Sequence, residues 1–306
     1  MKQIISPAVS FSKPYRILKS KNRDIYEFSL DNENIDPKTV DSFGEEWQSF
    51  HDFDEGEIRK LGDEYFDIVT PEMINENTRL LEVGCGSGRF LKYLSTKAGF
   101  LVGVDPSQAI FVADKLLGKN GKIVLAKASA NALPFENESF DFVCSIGVLH
   151  HIPDTSKALQ ACVDKVKRGG YFYTYLYYNL DNRGFLFRSV FALSNILRLI
   201  ICKLPPRLKK LVCDALAAFV YMPFILINRF LKSIGVSART RRNIPLFGYE
   251  NRSFYVIRND SLDRFGTPLE QRFTKGQIED MMVKAGLTEI IFSNSIPYWH
   301  VVGKKK

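Results

Sequence analysis

The sequence predicts an α/β fold, a doubly wound and mostly parallel sheet carrying a helical insertion. Three observations predict it. Between residue 79 and about residue 178, short apolar runs alternate with helical patterns, and RLLEV, FLVGV, KIVLA, FDFVCSI and YFYTYLY read as strands. The first run passes straight into a glycine-rich turn, LLEVGCGSGRF at 80–90, with a helical pattern behind it. A long apolar and basic stretch then separates the fifth strand from the closing helix, where a short crossover would suffice.

Taken in order, residues 1–75 are polar, acidic and poor in strand patterns. Residues 40–50 and 57–69 read as short amphipathic helices, with Phe43, Trp47 and Phe50 near helical spacing. An N-terminal helical lid region is therefore expected over 1–75, and a cofactor-binding core over 76–184. Residues 185–248 form the insertion. It holds FLFRSVFALSNILRLIICKL and LVCDALAAFVYMPFILINRFL, each reading as one long helix, broken apart at Pro205 and Pro206. Neither is a clean membrane span, because Arg188 and Arg198 interrupt the first and Asp214 the second. Two readings stay open: a helical cap folded over the active site, or an interfacial hairpin in a membrane surface. Residues 249–306 complete the sheet. Thr274 and Gln277 form a capping-box pair opening a helix that ends near Gly286, and LTEIIFSN and YWHVVG follow as two strands.

Charge is unevenly spread. The chain carries +8 overall, yet residues 1–184 hold 22 basic and 26 acidic side chains, and residues 185–306 hold 20 and 8. From 185 to 242, 11 basic residues face one acid, Asp214; Arg207, Lys209 and Lys210 flank the proline turn. That asymmetry suggests an anionic partner, whether membrane, phosphorylated substrate or nucleic acid, or else a solvated basic face. The five cysteines, at 85, 144, 162, 202 and 213, are odd in number and form no C-x-x-C pair, so neither a disulfide framework nor a zinc ribbon is expected. No His/Cys cluster has ligand spacing, and no metal is expected. The N-terminus lacks an apolar signal-like core, and a reducing cytoplasm fits best.

The turn at 84–88 carries the chemistry. Gly84, Gly86 and Gly88 let the backbone turn sharply and let a ligand approach closely, at the strand edge where open α/β sheets bind ligands. Asp105 ends the next strand, where a carboxylate can accept hydrogen bonds from both hydroxyls of a ribose; it could also cap the following helix. A dinucleotide dehydrogenase shares this logic, but its G-x-G-x-x-G fingerprint differs from G-C-G-S-G.

With ASANALPFENESFDFVCSIGVLHHIPD at 128–154 added, the chain resembles class I S-adenosylmethionine-dependent methyltransferases over 79–178. The resemblance implies a Rossmann-like sheet with an antiparallel last strand, and S-adenosylmethionine as cofactor. It places Glu82, Gly84, Cys85, Gly86 and Gly88 around the methionine part, and Asp105 and Pro106 at the ribose. Ser129 and Ala130 fall beside the adenine, and Ser145 and Ile146 open the wall around the sulfonium. The family often has Asp where Ser129 stands, which leaves the backbone to face the adenine.

Methyl transfer from a sulfonium is a direct displacement, and positioning can supply most of the acceleration. A base is needed only for a nucleophile of high pKa. His150 and His151 follow the fourth strand and are the candidates, one of them expected simply to pack. Trp47, Asp263, Arg264, Glu270 and Arg272 are substrate candidates; the four charged residues could equally be surface ion pairs. The expected activity is methyl transfer to a small or lipid-like acceptor, with peripheral contact to an anionic membrane at its inner face and no nucleic-acid partner. An RNA methyltransferase and a non-catalytic scaffold of the same fold are the alternatives.

Overall fold

The computed structural model describes residues 3–6, 9–29, 33–50, 53–180, 184–242 and 244–306. The chain divides into two compact units, Met1–Asp181 with Leu269–Lys306, and Asn182–Pro268.

The first unit opens with an antiparallel ribbon, β1 (Gln3–Ser6) and β2 (Val9–Phe11), and a hairpin, β3 (Arg16–Lys19) and β4 (Asp24–Glu27). These strands lie in the region the sequence marks as poor in strands. They are three or four residues long, too short to carry a period-two signal. Tertiary contacts hold the hairpin instead. Ile25 is fully buried opposite Leu125, Arg23 pairs with the buried Asp114 at 3.0 Å, and its guanidinium also donates to the Ile123 carbonyl.

Helices α1 (Pro37–Ser49) and α2 (Glu55–Tyr65) follow, each opened by an aspartate that accepts from the first-turn amides, Asp36 and Asp54. The core then alternates: β5 (Arg79–Val83), α3 (Arg89–Leu94), β6 (Phe100–Val104), α4 (Ala109–Leu117), β7 (Ile123–Lys127), β8 (Phe140–Ile146), α5 (Thr155–Asp164) and β9 (Val166–Tyr175). After the second unit, the helix Lys275–Lys284 starts with the capping box formed by Thr274 and Gln277, and β10 (Leu287–Phe292) and β11 (His300–Lys305) close the chain.

One sheet has the order β10-β11-β9-β8-β5-β6-β7-β4-β3. Strands β4 to β9 pair in parallel within it, and β11 runs antiparallel between β9 and β10. Alternate residues feed opposite faces. Leu81, Val83, Val102 and Val143 join α5 and the closing helix, whereas Leu80, Leu101, Phe142 and Tyr173 join α2, α3 and α4. Burial on both faces explains why the strands read as continuous apolar runs. The topology brings the carboxyl ends of β5, β6, β7 and β8 to one edge, with the glycine turn at its middle.

The second unit is helical: α6 (Phe185–Ile201), a 28-residue helix Pro206–Ser233, a short turn Ala238–Arg241, and Phe254–Gly266. The proline pair does separate the first two helices. Pro223 has no amide hydrogen to give to the preceding turn, and the π-type turn Ala217–Tyr221 just before it widens the helix to accommodate the ring. Of the three cations expected to flank the proline turn on the surface, only Arg207 is exposed. Lys209 is buried, and Lys210 turns to Asp214 at 3.1 Å, which also takes the Arg258 guanidinium at 2.6 Å.

Candidate functional site

The glycine turn is built by hydrogen bonds as well as by composition. Gly84 and Cys85 donate to the Val104 carbonyl, so the turn is pinned to β6, and Gly86 donates to Asp105 Oδ2 at 2.9 Å. Asp105 Oδ1 accepts from the Ser107 amide at 2.8 Å and hydroxyl at 2.6 Å. The acid therefore braces the loop and its own turn, while the residue at the start of α4 is Gln108; Asp105 is not that helix's cap. Each carboxylate oxygen retains acceptor capacity beyond these bonds. Pro106 is half-buried beside it.

Gly86 adopts φ +51°, and a β-carbon there would stand 3.0 Å from Trp47 Nε1. At Gly84, φ +76°, a β-carbon would meet Val148 at 2.4 Å. The turn is thus a cradle that side chains would fill. Helix α1 lies over it. Along one helix face Phe43 meets the His151 ring at 4.8 Å, Gly44 lies against Ser107 and Gln108, and Trp47 covers Gly86. The Arg89 guanidinium sits over Trp47 at 4.7 Å. Phe50, by contrast, is fully buried. In a Trp299→Phe variant, which leaves Trp47 as sole tryptophan, emission should change on cofactor addition; no change at saturation would mean α1 does not sense the site.

Buried polar groups cluster here. Glu82 ends within β5, fully enclosed, and its Oε2 has no hydrogen-bond partner among the described residues. Burial pushes its carboxyl well above the ordinary range, Arg89 pulls it down, and Asp105 pushes it further up. Burial also raises Asp105, against the hydrogen bonds from Ser107 and Gly86. Cys85 is buried, and desolvation raises its thiol well above the ordinary value. The Ser129 hydroxyl is buried and likewise lacks a partner among the described residues, with Ala130 buried beside it. Ser145 differs: its hydroxyl donates to the Val83 carbonyl at 2.9 Å, tying β8 to β5, so only its backbone and Ile146 stand at the edge.

The two histidines are placed differently. His151 Nδ1 lies 2.6 Å from the Leu269 carbonyl, an acceptor only, so that nitrogen carries the proton. Leu269 also donates to Thr39 of α1, and His151 thereby fixes this stretch of chain. His150 is fully enclosed, stacks on Tyr177 at 3.9 Å, and has no hydrogen-bond partner for either ring nitrogen among the described residues. Burial, then the nearby His151 and Arg272, holds its pKa well below 6.5. Tyr175 also meets the His150 ring at 6.5 Å and Tyr177 at 5.7 Å. These tyrosines were missed as site residues. The signal was the alternation in YFYTYLY, where Tyr171, Tyr173, Tyr175 and Tyr177 recur every second residue and so share a face.

The charged substrate candidates split. Glu270 and Arg272 pair at 2.8 Å in the first unit, with Arg272 over the Tyr177 ring at 5.0 Å. Asp263 and Arg264 belong to the second unit, where Arg264 covers Phe191 at 4.4 Å and donates to Ser194, joining two helices.

A parallel sheet with a glycine cradle, an acid at the next strand end and enclosed unpartnered oxygens defines a cofactor-binding α/β enzyme. A model described as a methyltransferase domain matches residues 81–174. The chain is 30% identical over 169 residues to a ubiquinone biosynthesis O-methyltransferase of Paracidovorax citrulli, covering 52% of this chain and 69% of that protein. It is 27% identical over 176 residues to the Hydrogenovibrio crunogenus protein of the same description, covering 55% and 70%. Over 99 residues it is 37% identical to a tRNA U34 carboxymethyltransferase of Pseudoalteromonas atlantica, 31% of this chain and 30% of that protein. The chain belongs to the class I S-adenosylmethionine-dependent methyltransferase family, is an enzyme, and takes S-adenosylmethionine as cofactor. The residues present fit that group: the glycines keep side chains out of the cradle beneath Trp47, and the enclosed Glu82 Oε2 and Asp105 retain acceptor capacity.

Proposed function

We propose that the chain methylates a hydroxyl of a small or lipid-like acceptor, with His150 as general base. When bound, the cofactor supplies an electrophilic methyl group on a sulfonium. Glu82, Gly84, Cys85, Gly86 and Gly88 hold its methionine part, Asp105 and Pro106 its ribose. Ser129 and Ala130 meet the adenine, and Ile146 with the Ser145 backbone walls the reacting end. The observation that carries the acceptor reading is His150: a neutral imidazole with unpartnered nitrogens among aromatic rings, beside the last residues of β8. Neutral imidazole can take a hydroxyl proton as the oxygen attacks. Aromatic walls suit a largely apolar acceptor better than a polar one. His151 positions; Glu270 and Arg272 shape the aromatic wall through Tyr177, and Trp47 closes over the cradle.

Relatives named for ubiquinone biosynthesis O-methylation support an oxygen acceptor. We place the protein at the inner face of an anionic membrane, as a peripheral protein of the cytoplasm. The basic second half and the tRNA-modifying relative favour RNA as the second reading. An acceptor screen with methyl-labelled cofactor separates them. Label is expected in the organic-extractable fraction of a lipid extract; label in RNA, with none in lipid or small hydroxylated metabolites, overturns the proposal. Asp105→Ala should weaken cofactor binding by about 1.5–3 kcal/mol, the cost of losing a charged hydrogen-bond partner. Unchanged affinity in calorimetry, with the fold intact, would sink the ribose assignment.

A further inference from the structure

The second unit buries a small apolar core, with Ile225, Ile257, Leu262 and Phe265 in it, yet it turns a far larger apolar face outward. Every residue classed as exposed from Leu208 to Leu231 is apolar: Leu208, Leu211, Ala215, Phe219, Val220, Pro223, Phe224, Leu226, Ile227 and Phe230. Phe219, Leu226, Phe230 and Ile234 recur at helical spacing, and Phe219 is 81% exposed. On the opposite face Lys209, Cys213, Tyr221 and Asn228 are buried. Helix α6 repeats the pattern. Val190, Leu193, Ile196 and Ile200 are exposed while Arg198 is buried, its guanidinium donating to the Thr267 and Pro268 carbonyls at 2.9 and 2.7 Å. The helix Phe254–Gly266, which packs against both, adds polar groups to that interior beside Ile257, Leu262 and Phe265: Arg258 pairs with Asp214, and Ser261 donates to the Cys213 carbonyl. In water so large a contiguous apolar surface is unfavourable and calls for a cover.

We propose that the outward faces of α6 and of Pro206–Ser233 dock into the interfacial layer of an anionic lipid bilayer. Charge selects this occupant. The exposed cations Arg188, Lys203, Arg207 and Arg239 stand at or beyond the helix ends, and none interrupts the apolar faces, so they can reach phosphate headgroups while the faces enter the acyl region. The helices lie at the surface and do not cross it. The helix Pro206–Ser233 is long and apolar enough to span, but the uncharged exposed stretch of α6 is roughly 18 Å long at 1.5 Å per residue, short of a hydrocarbon core of about 30 Å. The charged helix packed against both also demands water or headgroups nearby. This deepens the membrane reading above and rests on it, but the test uses no methyl acceptor, so either can fail alone.

The experiment uses the full chain with sedimentation onto vesicles of phosphatidylcholine, with or without phosphatidylglycerol. Binding is expected only with phosphatidylglycerol. Leu226→Ser with Phe230→Ser should lower partitioning about tenfold or more at unchanged melting temperature, since these side chains meet solvent. Lys203→Gln with Arg207→Gln should lower it severalfold and flatten its salt dependence. A Phe230→Trp variant reports insertion independently: its emission should shift blue and be quenched by bromine-labelled lipid. Wild-type vesicle binding in the serine variant, or no emission shift on phosphatidylglycerol vesicles, overturns the proposal. So does self-association that the serine variant abolishes in the absence of vesicle binding, which would make a second copy the cover. Salt-steep RNA binding in place of vesicle binding also overturns it.

Discussion

Gly86→Val is expected to weaken S-adenosylmethionine binding at least about 100-fold, near 2.7 kcal/mol. Two costs converge. The backbone at Gly86 has φ +51°, and a β-branched residue in the left-handed region costs about 1–2 kcal/mol. Its β-carbon would also stand 3.0 Å from Trp47 Nε1 and 3.2 Å from Cε2, and valine adds two methyl groups beyond that. Either Trp47 moves off the cradle or the turn shifts, and a shift weakens the Gly86 amide bond to Asp105. The melting temperature should fall by a few degrees, about 2–4 °C per kcal/mol for a unit of this size. Calorimetry and thermal melting separate the two effects. Gly86→Ala, with the same strain but less bulk, should fall between. Affinity within threefold of wild type in a folded valine variant would remove Gly86 from the cofactor site.

His150→Ala should lower kcat by about 10²–10⁴, the usual contribution of a positioned base, with cofactor affinity unchanged. The pH dependence identifies the group. Burial holds His150 below its ordinary 6.5, so the active neutral form persists as pH falls through 6.5, and the rate should decline only at more acid pH. Stability carries the same signature with a definite sign. Between the folded and unfolded pKa values the unfolded chain binds the proton and the folded chain does not. The stabilisation is therefore complete above 6.5 and is lost progressively below it. His150→Phe, which keeps the stacking on Tyr177, should remove that part of the acid-side loss. A kcat within threefold of wild type for both variants would falsify the base assignment and leave positioning alone to explain the rate.

How much of this was legible differs by element. The five parallel strands and the glycine turn were readable because each is a local pattern: an apolar run buried on two faces, and a turn only glycine permits. Thr274 and Gln277 announced their helix for the same reason, since a capping box closes within four residues. The hairpin of β3 and β4 was not readable, because Asp114 and the edge of β7 hold it from about 90 residues away.

At the candidate site, the strand pattern alone told which residues stand at the carboxyl edge of the sheet, because strand ends in a parallel sheet fall on one side by topology. It could not distinguish His150 from His151. Adjacent residues diverge in direction, and only the tertiary structure turned one toward the Leu269 carbonyl and enclosed the other against Tyr177. Nor could it tell Ser129, whose hydroxyl is left without a partner among the described residues, from Ser145, whose hydroxyl bonds across to Val83. The insertion makes the point most sharply. Composition determined that it is apolar and basic, but composition is the same for a covered core and an exposed face. Helical periodicity sorts residues onto faces without saying which face turns inward. Packing decided that: Arg198 turned in to the Thr267 and Pro268 carbonyls and Asn228 to the Pro245 carbonyl, while Leu226, Phe219 and Phe230 were left to whatever lies beyond the protein.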